Sequence, residues 1–155
     1  MKNPRPKSSP VPYLLIVEDN DEDFEVFMRL MKTSNFSYPI YRFIDGDDIL
    51  DFLFYQGEYA DRQETATPAL IIVDLNLPGT DGREVIAKIK EDPNLKIIPV
   101  VAFTTSSNHK DIKACYQNGV NSYIQKPLGI SSYKKIIENF SFYWFNSVIL
   151  PDYEE

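Results

Sequence analysis

The chain has 155 residues, a length that fits one domain, with 43% hydrophobic and 25% charged side chains, enough for a packed core. Its net charge of −7 argues against a general nucleic-acid or anionic-membrane binder, because those need a basic surface to displace counterions. One cysteine, Cys115, rules out an internal disulfide and fits a reducing compartment.

In chain order, residues 1–12 hold four prolines, two serines and three basic residues and read as a disordered leader without the apolar core of a signal peptide. Tyr13 to Val17 is a continuous apolar run, the pattern of a strand buried on both faces. Asp21 to Lys32 carries Phe24, Phe27, Met28 and Met31 on one helical face. Tyr38 to Ile44 reads as a strand, Asp45-Gly46 as a turn, and Asp47 to Tyr55 as a helix whose acidic start suits the macrodipole. A polar loop runs from Gly57 to Pro68, and Ala69 to Val73 is the next buried strand, ending at Asp74. Pro78 to Gly82 is turn chemistry, and Arg83 to Glu91 a helix stopped by Asp92-Pro93. Pro99 to Phe103 is a strand leading into Thr104-Thr105-Ser106. Asn108 to Gln117 is a helix closed by Asn118-Gly119, with Cys115 as a small core residue. Asn121 to Gln125 is a short strand before Lys126-Pro127, Ser131 to Ile149 a last helix, and residues 151–155 an acidic tail. No apolar stretch approaches the ~20 residues that span a bilayer.

Five strands alternating with five helices predict an α/β fold, a doubly wound parallel sheet with helices on both faces. In such sheets ligands sit beyond the carboxyl ends of the strands. Glu18-Asp19, Asp74, Thr104 and Lys126 all fall there. Asp74 alone has ordinary readings as a helix cap or a solvated acid, and Glu18 and Asp19 as caps of the following helix. Convergence argues otherwise. Acids gathered together repel unless a cation is present, and a hard divalent ion with oxygen ligands resolves the repulsion. Lys126 adds positive charge and Thr104 a hydroxyl. A nucleophilic carboxylate flanked by metal, lysine and hydroxyl suits phosphoryl transfer. Asp21, Glu22 and Asp23 read mostly as a solvated helix start, and His109, the only histidine, as a solvated residue near another.

The stations Val17-Glu18-Asp19-Asn20, Asp74-Leu75-Asn76-Leu77-Pro78 with Asp81-Gly82, Thr104-Thr105-Ser106 and Tyr123-Ile124-Gln125-Lys126-Pro127 resemble the receiver domain of two-component response regulators, in order and at family spacing. The resemblance covers nearly the whole chain, with residues 13–150 as the receiver domain. It implies a flavodoxin-like sheet of order 2-1-3-4-5. It also implies that Asp74 accepts a phosphoryl group from a sensor histidine kinase. Mg²⁺ would be held by Asp19, Asp74 and the carbonyl of Asn76, with Glu18 in support. Thr104 and Lys126 would contact the phosphoryl oxygens, Tyr123 would report switching, and the Lys126-Pro127 bond would be cis, with Pro127 its proline.

Within the family the chain is most similar to the small single-domain regulators of cyanobacterial phytochromes, on Asp45 to Phe54, Asp92 to Lys96 and the aromatic run Phe142 to Phe145. That implies a phytochrome-type kinase as partner, a cytoplasmic phosphoacceptor rather than an enzyme, slow self-dephosphorylation, and no following DNA-binding domain. Glu18 stands where the family more often has Asp, and Thr105 where a smaller residue is usual.

Rival readings fit less well. A haloacid-dehalogenase-type phosphatase needs an aspartate two residues after its nucleophile, where Asn76 stands. An EF-hand starting at Asp19 needs Gly and Glu where Phe24 and Leu30 stand. A flavin-binding loop after the first strand would not be as acidic as Glu18 to Asp21. Finally, Tyr133, Ile136, Ile137, Phe140, Tyr143, Trp144 and Val148 form an apolar stripe to pack on the sheet. Phe142, Phe145 and Ile149 lie partly outside it and predict a homodimer interface.

Overall fold

The computed structural model describes residues 12–34, 36–62 and 67–151. The expected leader and acidic tail lie almost entirely outside these residues. Five parallel strands are formed by β1 (Tyr13–Val17), β2 (Ile40–Phe43), β3 (Pro68–Val73), β4 (Val100–Thr104) and β5 (Ser122–Gln125), in the order β2-β1-β3-β4-β5. This is the 2-1-3-4-5 sheet implied by the sequence.

The strand side chains alternate between two cores, as pleating requires. Leu15, Val17, Ile71, Val73, Val100 and Ala102 face one layer, built from α2 (Gly46–Leu53), α3 (Gly82–Glu91) and α4 (His109–Gln117). Leu14, Ile16, Leu70, Ile72, Val101 and Phe103 face the other, built from α1 (Asp21–Thr33) and α5 (Ile130–Phe142). Burial on both faces is why β1, β3 and β4 read as unbroken apolar runs.

Helix starts are fixed locally. Asn20, Asp45, Asp81 and Asn108 each cap a helix by accepting a backbone N–H, an interaction worth about 1 kcal/mol. The stop at Asn118-Gly119 is as expected, with Gly119 at φ +97°. Cys115 is fully buried in the core, and burial pushes its thiol up. Among the described residues no helix is long and apolar enough to cross a membrane.

The C-terminal helix departs from expectation. α5 ends at Phe142, and Tyr143–Ser147 form a π-turn in which Val148 N–H donates to the Tyr143 carbonyl, five residues back. The wider turn shifts the positions after Tyr143, whose own N–H still donates to the Asn139 carbonyl as in an α-helix. Tyr143, expected on the inner stripe, is exposed, while Trp144 stays buried. Phe145, expected at a dimer interface, is half-buried, its ring 4.6 Å from Phe36 and 5.7 Å from Tyr38 in the segment after α1. The loop after α2 also contains a 3-10 turn, Gly57–Tyr59, that closes Tyr59 onto Phe52.

Candidate functional site

Glu18, Asp74 and Lys126 are delivered by the sheet. Glu18 N–H donates to the Phe43 carbonyl at 2.9 Å, and Asp74 N–H to the Val17 carbonyl at 3.1 Å. Lys126 N–H donates to the Thr104 carbonyl at 2.7 Å. The strand ladders thus run one residue past the strands and fix the backbone of the site. The loop after Asp74 is held close by Gly82, where a Cβ would lie 2.1 Å from the Asp74 carbonyl oxygen, so no larger residue fits without moving the loop.

The Lys126 ammonium is buried, and its three N–H bonds are all used. Nζ lies 2.5 Å from Glu18 Oε1, 2.9 Å from Asp74 Oδ2 and 2.9 Å from Asp23 Oδ2. Burial alone would lower its pKa, but the Glu18 and Asp74 carboxylates outweigh it and hold the amine charged, above the ordinary lysine range. The peptide bond that follows is trans, since no cis bond occurs among the described residues. The expected cis Lys126-Pro127 bond is therefore corrected. The trans form, favoured at X-Pro by ~0.5–1 kcal/mol, already delivers the ammonium to all three acids.

Oxygen atoms of Glu18, Asp19 and Asp74 lie within 4.8 Å of one another, with Asp19 exposed and the other two buried. Burial and the neighbouring Asp74 carboxylate push Glu18 up to about 9, against the opposing pull of Lys126. For Asp74 burial acts upward, but the contact with Glu18 and the Lys126 charge outweigh it and leave the group below its ordinary value. A divalent cation bound between the three acids would hold all of them deprotonated, since metal ligation requires the carboxylate form. An all-oxygen, anionic donor set fits a hard divalent cation. Asn76 is exposed and follows directly, its N–H donating to Asp74 Oδ1 at 3.3 Å.

Thr104 is fully buried at the end of β4, and Thr105 beside it is exposed. From Thr104 a run of hydrogen bonds leads outward. Thr104 Oγ1 accepts from Ser106 N–H at 3.4 Å, and the Ser106 carbonyl accepts from the Tyr123 hydroxyl at 2.8 Å. Ser106 Oγ donates to Asp111 Oδ2 on α4 at 2.8 Å, and Arg83 on α3 clamps both Asp111 and Asp81. Tyr123 is half-buried, and burial pushes its hydroxyl up, so it remains a donor. His109 is exposed at the start of α4, as expected.

Two residues escaped the sequence reading. Asp23, assigned to a solvated helix start, is bonded to Lys126 and only 40% exposed. It is the third residue of α1, in the first turn with Asp21 and Glu22, and nothing in its spacing sets it apart from them. Arg42 on β2 is buried, donates to the Glu18 carbonyl at 2.8 Å, pairs with Asp21 at 2.8 Å and lies over the Phe24 ring. No sequence spacing links Arg42 to Glu18. Only β1–β2 pairing does.

The family model for the response regulator receiver domain matches residues 14–138. Response regulator Rcp1 of Synechocystis sp. is 39% identical over 145 residues, covering 94% of this chain and 97% of that protein. Among solved structures, the Mn²⁺-bound form of Rcp1 superposes with a TM-score of 0.84 at 39% identity, over 92% of this chain and 100% of that one. The phosphorylated cyanobacterial phytochrome response regulator RcpA does so with a TM-score of 0.83 at 38% identity, over 91% and 99%.

Proposed function

The chain belongs to the response regulator receiver family, and from that premise we propose that it accepts a phosphoryl group on Asp74 from a sensor histidine kinase of the phytochrome type, with Mg²⁺ as the metal. The observation that carries this reading is the Asp74 carboxylate at a strand end, one oxygen held by buried Lys126 and two further acids within metal-sharing distance. In the transfer, an Asp74 oxygen forms a bond to phosphorus as the phosphorus–nitrogen bond of the donor histidine breaks. Lys126 neutralises charge on the phosphoryl oxygens, and Thr104 offers its hydroxyl to them. A divalent cation, when bound, supplies further neutralisation at the same oxygens. Asp19, Asp74 and the Asn76 carbonyl would hold it, with Glu18 in support. The phytochrome assignment is supported by the similarity to Rcp1 and RcpA. Incubation with a small-molecule phosphodonor and Mg²⁺, followed by intact mass, tests the reading: one phosphoryl group should be gained. The phosphatase alternative has no support from the family match, and Asn76 lacks the acid it needs. A cytoplasmic phosphoacceptor that slowly dephosphorylates itself, rather than a turnover enzyme, goes with this reading.

A phosphoryl group on Asp74 would draw the Thr104 hydroxyl inward. Thr104 Oγ1 would then leave Ser106 N–H, and the shift would reach Tyr123 and α4 through the Ser106 bonds. Thr104→Ala should accept phosphate yet lose the response. In hydrogen exchange, segments 108–117 and 121–125 should change protection on phosphorylation in the wild type and stay within error in the variant. A full response in the variant would remove this coupling.

A two-fold homodimer through the C-terminal end of α5 is the second partner proposal. Phe142, Tyr143 and Ile149 are 65%, 52% and 99% exposed, a run of apolar side chains that a second copy would cover. Phe145 no longer belongs to it, being packed internally. Sedimentation at micromolar concentration should show a dimer that Phe142→Ser with Ile149→Ser dissociates. A monomeric wild type would count against it, and the kinase would then be the occupant to test.

A further inference from the structure

Behind the Lys126 cluster lies a cavity of about 10 Å³, close to the smallest that holds one water. Most of its wall is apolar, including Ile16, Phe27, Ile72 and Phe103. Glu18, Asp23, Asp74 and Tyr133 also line it. Two of the buried polar atoms without a hydrogen-bond partner belong to this wall, Glu18 Oε2 and the Tyr133 hydroxyl oxygen. They come from opposite parts of the fold, the end of β1 and the first turns of α5.

The Tyr133 ring is locked, buried edge-on against Phe103 with centroids 5.7 Å apart. Its hydroxyl cannot turn away to solvent. Burial, with help from the Asp23, Glu18 and Asp74 charges, keeps it well above its ordinary pKa, so it stays a proton donor. A buried hydroxyl and a buried carboxyl oxygen, each unpaired and each on a residue that lines the same water-sized space, are both costly alone. A bridging water satisfies both, and the neighbouring carboxylates give it the two to four polar partners that buried waters make.

We propose that one buried water bridges the Tyr133 hydroxyl and Glu18 Oε2, and that Tyr133 is thereby a positioning residue for the Glu18 carboxylate. Glu18 is then held at both oxygens, by Lys126 at Oε1 and by the water at Oε2. Its orientation toward the metal position is set partly from α5. The inference rests on the metal reading given above, and it ties the C-terminal helix to the metal position by a route independent of Thr104 and Tyr123.

The test uses the full chain and Tyr133→Phe, which removes the hydroxyl and keeps the ring. A crystal structure of the wild type at about 1.5 Å should show one water within hydrogen-bond distance of both atoms. Mg²⁺ titration by calorimetry should show Kd raised about tenfold or more in Tyr133→Phe, as loss of a ligand-orienting contact does. In a Glu18→Gln background the same change should have no further effect, a coupling that a merely structural tyrosine would not give. A wild-type cavity that is dry, or whose water misses Tyr133, overturns the proposal. So does a Kd change in Tyr133→Phe smaller than about tenfold, or one that persists in full with Glu18→Gln. In each of these cases a wild type that binds Mg²⁺ and takes phosphate on Asp74 leaves the receiver reading standing. A wild type that binds no Mg²⁺ removes the metal reading together with this one.

Discussion

Asp74→Asn gains no phosphoryl mass under conditions in which the wild type is phosphorylated by a small-molecule donor and Mg²⁺. The amide has no anionic oxygen to attack phosphorus, and no other acid of the cluster offers a substitute. Glu18 is tied to Lys126 at one oxygen and buried at the other, Asp23 reaches Lys126 from the side, and Asp19 is the exposed member. The loss should be complete to the detection limit of intact mass, because nucleophilic catalysis has no partial form once the nucleophile is gone. The fold should survive. Lys126 keeps Glu18 and Asp23, and one of the mutually repelling carboxylates becomes neutral, so the melting temperature of the variant should match or exceed that of the wild type. Phosphorylation of Asp74→Asn at a comparable rate would refute the assignment.

Asp19→Ala should lower Mg²⁺ affinity on the order of 100-fold, at or beyond the upper end of what losing an outer-shell partner costs, because a direct ligand is removed. Phosphorylation should fall with it and recover in part at high Mg²⁺, whereas chelation should stop phosphorylation of the wild type. Replacing Glu18 should cost less, since its Oε1 is committed to Lys126. Calorimetry reads the first effect directly. Equal Mg²⁺ affinity in wild type and Asp19→Ala would exclude Asp19 as a ligand.

What could be read from the chain follows the range of the forces involved. The buried strands were legible because a sheet covered on both faces demands uninterrupted apolar runs, and the acids and lysine that end them stood out against that background. The 2-1-3-4-5 order and the individual roles came from the family resemblance rather than from spacing. Arg42 was invisible because its link to Glu18 exists only once β2 lies beside β1. Asp23 looked like its neighbours Asp21 and Glu22, and only the angle at which α1 leaves the sheet separates it from them. The π-turn at Tyr143–Ser147 has no marker in periodicity, since one widened turn shifts every later ring by a step. The cis-proline expectation was inherited from relatives, and the trans bond here meets the same geometric demand.

Trp144 is the only tryptophan of the chain, buried where α5 gives way to the π-turn, with the Tyr143 ring edge-on to it at 5.2 Å. Tryptophan fluorescence, excited selectively over the tyrosines, therefore reports from a single place, the end of the helix on which Phe142 and Tyr143 are exposed. A second copy or a kinase covering Tyr143 would change the polarity around that indole and shift its emission, with no label attached. Unfolding of α5 away from the sheet would be read by the same chromophore as a red shift, so association and local opening can be followed optically in the unmodified protein.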